Sequence, residues 1–460
     1  MKFASELIAV TMAGLAAGAA SSTSPLRNIV YFDQYHVTTL PGKNITAGIT
    51  HVVMAFANSS LFTTEPAGEY EPFMSLDEVR PMFDEGTHLG IAIGGWGDTA
   101  GFGLGSASEE SRLAYAKNVA DMATKHGFDF VDIDWEYPGG NGADYRQIPN
   151  ANKTGEIAAF PALLKDLKEQ LQPLGKQLSI AVPGLERDMM AFTAENNPLI
   201  FDAVDMVNVM TYDLLNRRDT VTTHHTSVAG SLEIVRRYKQ LGLEPSKINL
   251  GLAYYAKFFQ TQPGVKCTEP VGCLLVKAEN DDGSDAGTSG AMTFETINVF
   301  PPATPTNLTV SSDDSCGVGT SFTCSGLEDK GCCSTYGWCG STAAHCGVGC
   351  QSGFGTCEGP DVTNSFTEAL ANGKLDEEAG GMWYWDEENE VFWTWDSAEL
   401  IRRKFVDIVA PEQIGGVMAW SLAEDSADWS HILAVQQGIE ELSAQMTVTA
   451  GRRRRSYRKY

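Results

Sequence analysis

Three acidic residues alternate with apolar residues in the segment 128–136, FDFVDIDWE. A period of two is the period of a β-strand, so Asp132, Asp134 and Glu136 would project from one face of it. Carboxylates about 7 Å apart along one strand face repel each other, and this repulsion raises the pKa of at least one of them. A carboxyl group that stays protonated near neutral pH can act as a general acid. The segment therefore predicts an acid–base site, and an acidic loop without a role is the alternative.

These acids belong to a longer pattern, D-x-x-D-x-D-x-E, which runs from Asp129 to Glu136 and precedes Tyr-Pro. The pattern resembles the signature of family 18 glycoside hydrolases, the chitinases and their relatives, and the resemblance extends over most of the chain. It implies that Glu136 is the proton donor. It also implies that Asp134 orients the N-acetyl group of the substrate and shares a proton with Asp132. The expected partners are chitin and chitin oligomers, with no cofactor and no metal ion.

The spacing of Asp134 and Glu136 also bears on the mechanism. An ordinary retaining glycosidase places its nucleophile across the sugar, about 5 Å from the acid. Asp134 lies two residues before Glu136 on the same predicted strand, so it cannot flank the sugar from the opposite side. We therefore expect substrate-assisted retaining catalysis, in which the acetamide of the substrate attacks the anomeric carbon. Such an enzyme would hydrolyse β-1,4 bonds between N-acetylglucosamine units.

Eight short apolar segments have the length and composition of buried strands, and helical stretches separate them. The predicted strands are 28–33, 51–57, 90–95, 128–136, 177–183, 204–212, 248–255 and 414–421. The clearest predicted helices are 108–126, 157–171, 226–241 and 394–409. This alternation predicts an α/β protein with a (β/α)8 TIM barrel, in which the chemistry lies at the C-terminal ends of the strands. Glu136 ends its predicted strand, as this architecture requires.

Further candidate residues fall at other predicted strand ends. Met210, Tyr212 and Asp213 resemble the M-x-Y-D segment of the family. The resemblance implies that Tyr212 binds the acetamide carbonyl and that Asp213 holds sugar hydroxyls. Trp420 resembles the tryptophan that forms the floor of the catalytic subsite. Four more aromatic residues are predicted walls of the groove, with packing as the alternative: Tyr31, Phe56, Trp96 and Tyr137.

About 160 residues separate the seventh and eighth predicted strands, far more than a normal crossover contains. We expect an α+β insertion there, because many relatives of this family carry one. The Pro- and Thr-rich segment 301–314 is a predicted linker. Eight of the ten cysteines follow it, between Cys316 and Cys357. This density indicates a small module held together by disulfide bonds, with many possible pairings.

The segment 332–340, CCSTYGWCG, resembles the hevein-like chitin-binding module, and the match covers 315–358. The resemblance implies that Tyr336 and Trp338 stack on N-acetylglucosamine, that Ser334 makes a polar contact, and that His345 occupies the place of a third aromatic residue. It also implies the pairs Cys316–Cys333, Cys324–Cys339, Cys332–Cys346 and Cys350–Cys357, which leaves Cys267 and Cys273 to pair with each other. A zinc module is the alternative, but the sequence lacks the Cys-x2-Cys pairs of such sites.

The start of the chain predicts a secretory signal peptide, with an apolar run before small residues at a cleavage site. The expected domains are a signal peptide at 1–20, a catalytic barrel over 25–300 and 362–445, and a basic tail at 446–460. An even number of cysteines and four glycosylation sequons fit a secreted glycoprotein that is extracellular or associated with a cell wall.

The net charge of −26 at pH 7 opposes binding to nucleic acid. The mature chain contains no apolar run long enough for a membrane span, and we expect a monomer. His224 and His225 form a pair, but the sequence offers no third ligand at a matching spacing. Three alternatives remain for the whole chain: a catalytically silent chitin-binding lectin, an endo-β-N-acetylglucosaminidase acting on N-glycans, and a wall protein whose catalysis is incidental.

Overall fold

The computed structural model describes residues 25–425 and 427–457, and it describes side chains as far as residue 445. The predicted signal peptide at 1–20 and the last three residues of the basic tail lie outside the described residues. No helix in the described part of the chain is both long enough and apolar enough to cross a membrane.

Eight parallel strands form a closed barrel, in which β1 pairs with both β2 and β8. The strands are β1 (Arg27–Asp33), β2 (His51–Ala57), β3 (His88–Gly94), β4 (Phe130–Asp134), β5 (Gln177–Val182), β6 (Met206–Val209), β7 (Ile248–Ala253) and β8 (Gly416–Trp420). The predicted (β/α)8 barrel is confirmed. Both faces of its strands are buried, which explains why their sequences read as apolar runs.

Helices surround the barrel and bury their apolar faces against the strands. They are Leu76–Val79, Ala100–Gly105, Glu109–His126, Thr154–Leu171, Asn196–Ala203, Val228–Gln240, Ala398–Lys404 and Ser430–Tyr457. The helix Glu109–His126 shows why its bounds lie where they do. The Ser108 hydroxyl accepts a hydrogen bond from the Ser111 backbone N–H, and Gly127 ends the helix with a φ of 79°.

Several predicted strands are shorter in the structure, and in two of them the difference affects the site. The segment predicted as 128–136 is a strand only over Phe130–Asp134, so Glu136 lies two residues beyond the hydrogen-bonded ladder. The segment predicted as 204–212 ends at Val209, so Tyr212 belongs to the following loop. Both side chains therefore stand above the barrel, where a substrate has access.

An α+β insertion separates β7 from β8, as expected. Its antiparallel sheet has the order Lys374–Asp376, Gly381–Asp386, Val391–Trp395, Tyr255–Gln260 and Ser289–Thr293. The helix Thr363–Asn372 packs on this sheet, and Phe258, Phe366 and Trp393 are fully buried between them. The last predicted helix therefore begins late, at Ala398 instead of 394, because Val391–Trp395 is a strand of the insertion.

The cysteine-rich module lies inside this insertion. Five disulfide bonds join the same pairs that were expected: Cys267–Cys273, Cys316–Cys333, Cys324–Cys339, Cys332–Cys346 and Cys350–Cys357. The segment predicted as a linker, 301–314, is not a spacer along its whole length. Thr309–Val310 pair with Phe322–Thr323, so the end of that segment is part of the module.

Candidate active site

Asp132 lies inside the barrel and is surrounded by hydrogen-bond donors. Its side chain accepts hydrogen bonds from the Tyr31 hydroxyl at 2.7 Å, the Ser179 hydroxyl at 2.5 Å and the Asn208 amide at 3.1 Å. Burial raises its pKa to about 6, although these three hydrogen bonds act in the opposite direction. Asp132 is therefore held rigidly and carries a negative charge for much of the time at neutral pH.

Asp134 follows on the same strand face but has a different environment. Its Oδ1 is buried and has no hydrogen-bond partner among the described residues. Burial raises its pKa well above the usual range, and the nearby charges of Glu136 and Asp132 raise it further. A buried carboxyl with a free oxygen favours the protonated form, which has a proton to donate to a neighbouring acceptor.

Glu136 stands where the strand has ended and is only partly buried. Burial raises its pKa to about 7, and the charges of Asp213 and Asp188 add to this effect, while a hydrogen bond with Tyr137 opposes it. Glu136 therefore keeps its proton to a much higher pH than an ordinary glutamic acid does. The protonated state is what a general acid needs near neutral pH.

The loop after β6 brings two polar groups to the same place. Burial raises the pKa of the Tyr212 hydroxyl, and so do the charges of Asp134 and Glu136, which places this hydroxyl near both acids. Asp213 accepts a hydrogen bond from Tyr255 at 2.8 Å and lies 3.1 Å from Lys257 Nζ. Burial alone would raise the pKa of Asp213, but the Lys257 charge lowers it below the usual range. Tyr212 is thus a donor, and Asp213 an ionised acceptor.

Trp420 forms an aromatic floor together with Phe56. Their rings stack at 5.5 Å with an interplanar angle of 19°. The pairing of β2 with β3 shifts register between Ala55 and Ala57, which releases Phe56 from the ladder.

Tyr31 does not form a wall of the groove, which corrects the prediction for this residue. It is only 1 % exposed, because its hydroxyl binds Asp132 and its ring packs 5.6 Å from Trp420. Met210 is also nearly buried and packs among the same side chains.

The rim of the groove contains residues that were predicted and residues that were not. Trp96 is 51 % exposed and lies 6.4 Å from the ring of Tyr137. The guanidinium of Arg218 lies 5.9 Å from the Trp96 ring and 3.9 Å from the Tyr145 ring. These cation–π contacts tie the loops after β3, β4 and β6 together above the acids.

A polar cluster supports Trp420 from below. Its indole N–H donates to Glu424 Oε1 at 3.2 Å, and His36 Nδ1 lies 2.9 Å from Asp33 and 3.5 Å from Glu424. Burial would lower the pKa of His36, but the hydrogen bond to Asp33 and the charge of Glu424 raise it to about 9. These three side chains could reach one metal ion. The His36–Asp33 pair and the hydrogen bond from Trp420 to Glu424 join these side chains, so we interpret the cluster as a support for Trp420.

The histidine pair has structural partners. His224 Nε2 lies 3.0 Å from Asp376, which ties it to the insertion. His225 is fully buried against the Tyr255 ring, and burial lowers its pKa to about 3. A neutral, enclosed imidazole of this kind packs in the core.

The module presents two of its predicted binding residues to solvent. Tyr336 is 61 % exposed and Trp338 is 54 % exposed. Ser334 differs from the expectation of a direct sugar contact, because it is only 3 % exposed and its hydroxyl accepts the backbone N–H of Trp338. It shapes the turn that carries Trp338. His345 is half-buried, and its Nδ1 lies 2.8 Å from the Thr342 hydroxyl.

Sequence reasoning missed the residues that support the acids. Ser179 and Asn208 are polar residues inside the apolar strands QLSIAV and MVNV, and this was a usable signal. Lys257, Arg218 and Glu424 gave no comparable signal, because only the three-dimensional fold brings them to Asp213, Trp96 and Trp420.

Comparisons with known proteins agree with this geometry. Residues 27–425 match Glycosyl hydrolases family 18. Chitotriosidase-1 of Mus musculus is 29% identical over 231 residues, which are 46% of this chain and 47% of that protein. Chitinase 1 of Aphanocladium album is 25% identical over 295 residues, 54% of this chain and 65% of that protein. The matches thus span about half to two thirds of these curated relatives.

Solved structures show the same fold. The Group II chitinase catalytic domain 2 of Ostrinia furnacalis superposes with a TM-score of 0.62 at 17% sequence identity, and the superposition covers 90% of this chain and 97% of that one.

Proposed function

Because the chain belongs to glycosyl hydrolases family 18, we propose that it is a secreted chitinase that hydrolyses β-1,4 bonds between N-acetylglucosamine units. One observation carries the proposal: Glu136 stands just past the end of β4, two residues after the buried Asp134, and burial raises the pKa of Glu136 to about 7. An acid of this strength can protonate a glycosidic oxygen near neutral pH.

The proposed reaction uses the substrate's own acetamide as the nucleophile. Glu136 protonates the leaving oxygen while the acetamide oxygen attacks the anomeric carbon and forms an oxazolinium ion. Asp134 holds the acetamide N–H and stabilises the positive intermediate, sharing its proton with Asp132. Glu136 then removes a proton from water, which opens the oxazolinium and returns the enzyme to its initial state.

The other site residues position the sugar. Tyr212 donates a hydrogen bond to the acetamide carbonyl, and Asp213 accepts hydrogen bonds from sugar hydroxyls. Trp420, whose ring stacks on Phe56, offers a flat apolar face to the sugar ring at the cleavage point. Trp96 and Tyr137 bound the groove beside it. Tyr336 and Trp338 of the module bind chitin through the same stacking.

Secretion is part of the proposal. Five disulfide bonds are typical of a protein that folds in an oxidising compartment, and four of them hold a module with little apolar core. This supports an extracellular or wall-associated location.

The test is hydrolysis of soluble chitin oligomers by the purified protein, beside Glu136→Gln and the control Glu440→Gln, which removes an exposed carboxyl from the C-terminal helix. We expect the wild type and the control to turn over equally. We expect Glu136→Gln to lose about 10²- to 10⁴-fold in kcat, the range of a general acid.

Two other outcomes would support the rival functions. Binding of chitin oligomers without turnover by the wild type would indicate a lectin. Cleavage of N-glycans in preference to chitin oligomers would indicate an endo-β-N-acetylglucosaminidase.

A further inference from the structure

The disulfide module is docked firmly on the insertion. Val348 of the module is 7 % exposed and packs in the same apolar cluster as Phe258 and Trp393 of the insertion. Its backbone N–H donates to Gly287 O at 2.7 Å. Gly287 has a φ of 70°, and a Cβ there would lie 2.0 Å from Ala343 O, so only glycine allows this close approach. The module therefore has one orientation relative to the barrel.

This orientation brings Tyr336 towards the catalytic groove. Lys257, the partner of Asp213, belongs to the strand Tyr255–Gln260, and the next residue on that strand is Phe258. The Phe258 ring packs against the module beside Tyr336, because a Cβ at Gly349 would lie 3.0 Å from this ring and 3.2 Å from Thr335 Cβ. The turn that carries Tyr336 therefore lies next to the strand whose Lys257 pairs with Asp213.

Tyr336 stays open to solvent in this docked position, because 61 % of the residue is exposed. Its ring is therefore free to stack on a sugar.

A second series of contacts joins the module to the loop after β6. Arg217 in that loop lies 3.6 Å from Asp285. Asp285 accepts a hydrogen bond from the Gly287 backbone at 2.8 Å, and Gly287 accepts the backbone N–H of Val348. The loop that carries Tyr212 is therefore connected to the module through three consecutive contacts.

We propose that Tyr336 is a distal sugar subsite of the catalytic groove, so that one long chitin chain bound at Glu136 also stacks on the module. This inference rests on the proposed chitin specificity. The alternative role of such a module is an independent anchor, which binds a different part of the polymer. The two roles differ on soluble substrates, because an anchor does not affect the cleavage of a short free oligomer, whereas a subsite does once the oligomer is long enough to reach it.

The test measures oligomer affinity by calorimetry in a Glu136→Gln background, which keeps the ligand intact. Soluble chitin oligomers from the trimer to the octamer are compared for three proteins: Glu136→Gln alone, with Tyr336→Ala, and with Phe300→Ala. Phe300 is another exposed aromatic residue of the insertion, so it controls for general loss of apolar surface. Thermal unfolding confirms that each variant is folded.

We expect affinity to rise with oligomer length and one octamer to bind per protein. Tyr336→Ala should weaken octamer binding about threefold to tenfold, the worth of one aromatic contact, and leave the trimer within about twofold. Phe300→Ala should change neither. Two octamers per protein, or equal weakening at every length, would overturn the inference and assign Tyr336 to an independent site or to the fold.

The inference and the proposed function can fail separately. Hydrolysis of oligomers by the wild-type protein tests the function, whereas the length dependence of binding tests the subsite and requires no turnover. Length-dependent binding lost in Tyr336→Ala would support the subsite even if the wild type were inactive.

Discussion

The barrel centre and the disulfide module are built in opposite ways. The barrel centre buries its functional groups: Asp132 and Asp134 are 0 % and 4 % exposed, and hydrogen bonds or neighbouring charges act on each. The module exposes its functional groups, Tyr336 and Trp338, on a frame of four disulfide bonds. Burial shifts the pKa of an acid, which catalysis needs. Stacking requires a free apolar face, which burial would remove.

The two regions also differ in what stabilises them. The barrel has a continuous apolar core between strands and helices. The free energy gained from this core offsets the unfavourable burial of the carboxyl groups. The module has a core formed mainly by its own cysteines, with Phe354. Each disulfide closing a loop of about 15 residues contributes about 3 kcal/mol by restricting the unfolded chain. We therefore expect substitutions in the barrel centre to change chemistry and pH dependence, and substitutions on the module surface to change binding alone.

After the loss of the proton donor in Glu136→Gln, the largest expected effect is that of Asp134→Asn. The amide cannot carry the negative charge that stabilises the oxazolinium, so we expect kcat on chitin oligomers to fall about 10²- to 10³-fold, the cost of losing one electrostatic stabiliser. Asp129→Asn is the matched control on the same segment. Asp129 accepts the Leu89 backbone N–H at 2.8 Å, which an amide oxygen can also do, so its kcat should stay near the wild-type value. Equal losses in both variants would refute the assigned role of Asp134.

A second prediction concerns stability in Glu136→Gln. The pKa of Glu136 rises from 4.5 to about 7 in the folded state, so between these values the folded protein holds this proton more tightly than the unfolded chain does. Its contribution to the free energy of unfolding is therefore full below about pH 4.5 and is lost as pH rises through 7. In Glu136→Gln the amide stays uncharged at every pH, so the free energy of unfolding does not fall in this way.

We thus expect Glu136→Gln to be more stable than the wild type at pH 8 by about 3 kcal/mol, and nearly equal to it at pH 4. Chemical denaturation at both pH values measures this difference. Glu328→Gln, at an exposed carboxyl of the module, should show no such dependence. A Glu136→Gln protein that is less stable at pH 8 would contradict the raised pKa.

The smallest expected effect is that of Glu424→Gln. The amide oxygen can still accept the Trp420 indole N–H, so we expect KM to rise no more than about threefold with kcat unchanged. Glu424→Leu removes the acceptor of this hydrogen bond and the carboxyl group 3.5 Å from His36, so KM should rise about tenfold. Identical KM values for the two variants would show that Trp420 does not depend on this support.

The sequence was sufficient where a local pattern carried the information. The alternation of acids and apolar residues located Asp132, Asp134 and Glu136, and apolar runs located all eight barrel strands. The same reasoning extended several strands too far, including the two that lead to Glu136 and Tyr212, because the sequence pattern continues past the ends of the strands at Asp134 and Val209.

The remaining features depend on long-range contacts. Tyr31 has the residue type and sequence position that are expected of a groove wall. Its hydroxyl points inward because it donates a hydrogen bond to Asp132, which lies deep inside the barrel. The docking of the module through Val348 involves residues far apart in the chain, and nothing in either segment indicates the partner. Position along a strand was therefore predictable, but the direction of a side chain and the placement of the module were not.

The measurement that tests the central claim most directly is the anomeric configuration of the first product, followed by proton NMR immediately after the wild-type protein is mixed with a soluble chitin oligomer. Attack by the substrate's acetamide followed by water inverts the anomeric carbon twice, so the account predicts that the β-anomer appears first. An initial α-anomer would mean single displacement by water, with a second carboxylate such as Asp213 as the base. That result would contradict the assignment of Asp134 and the acetamide.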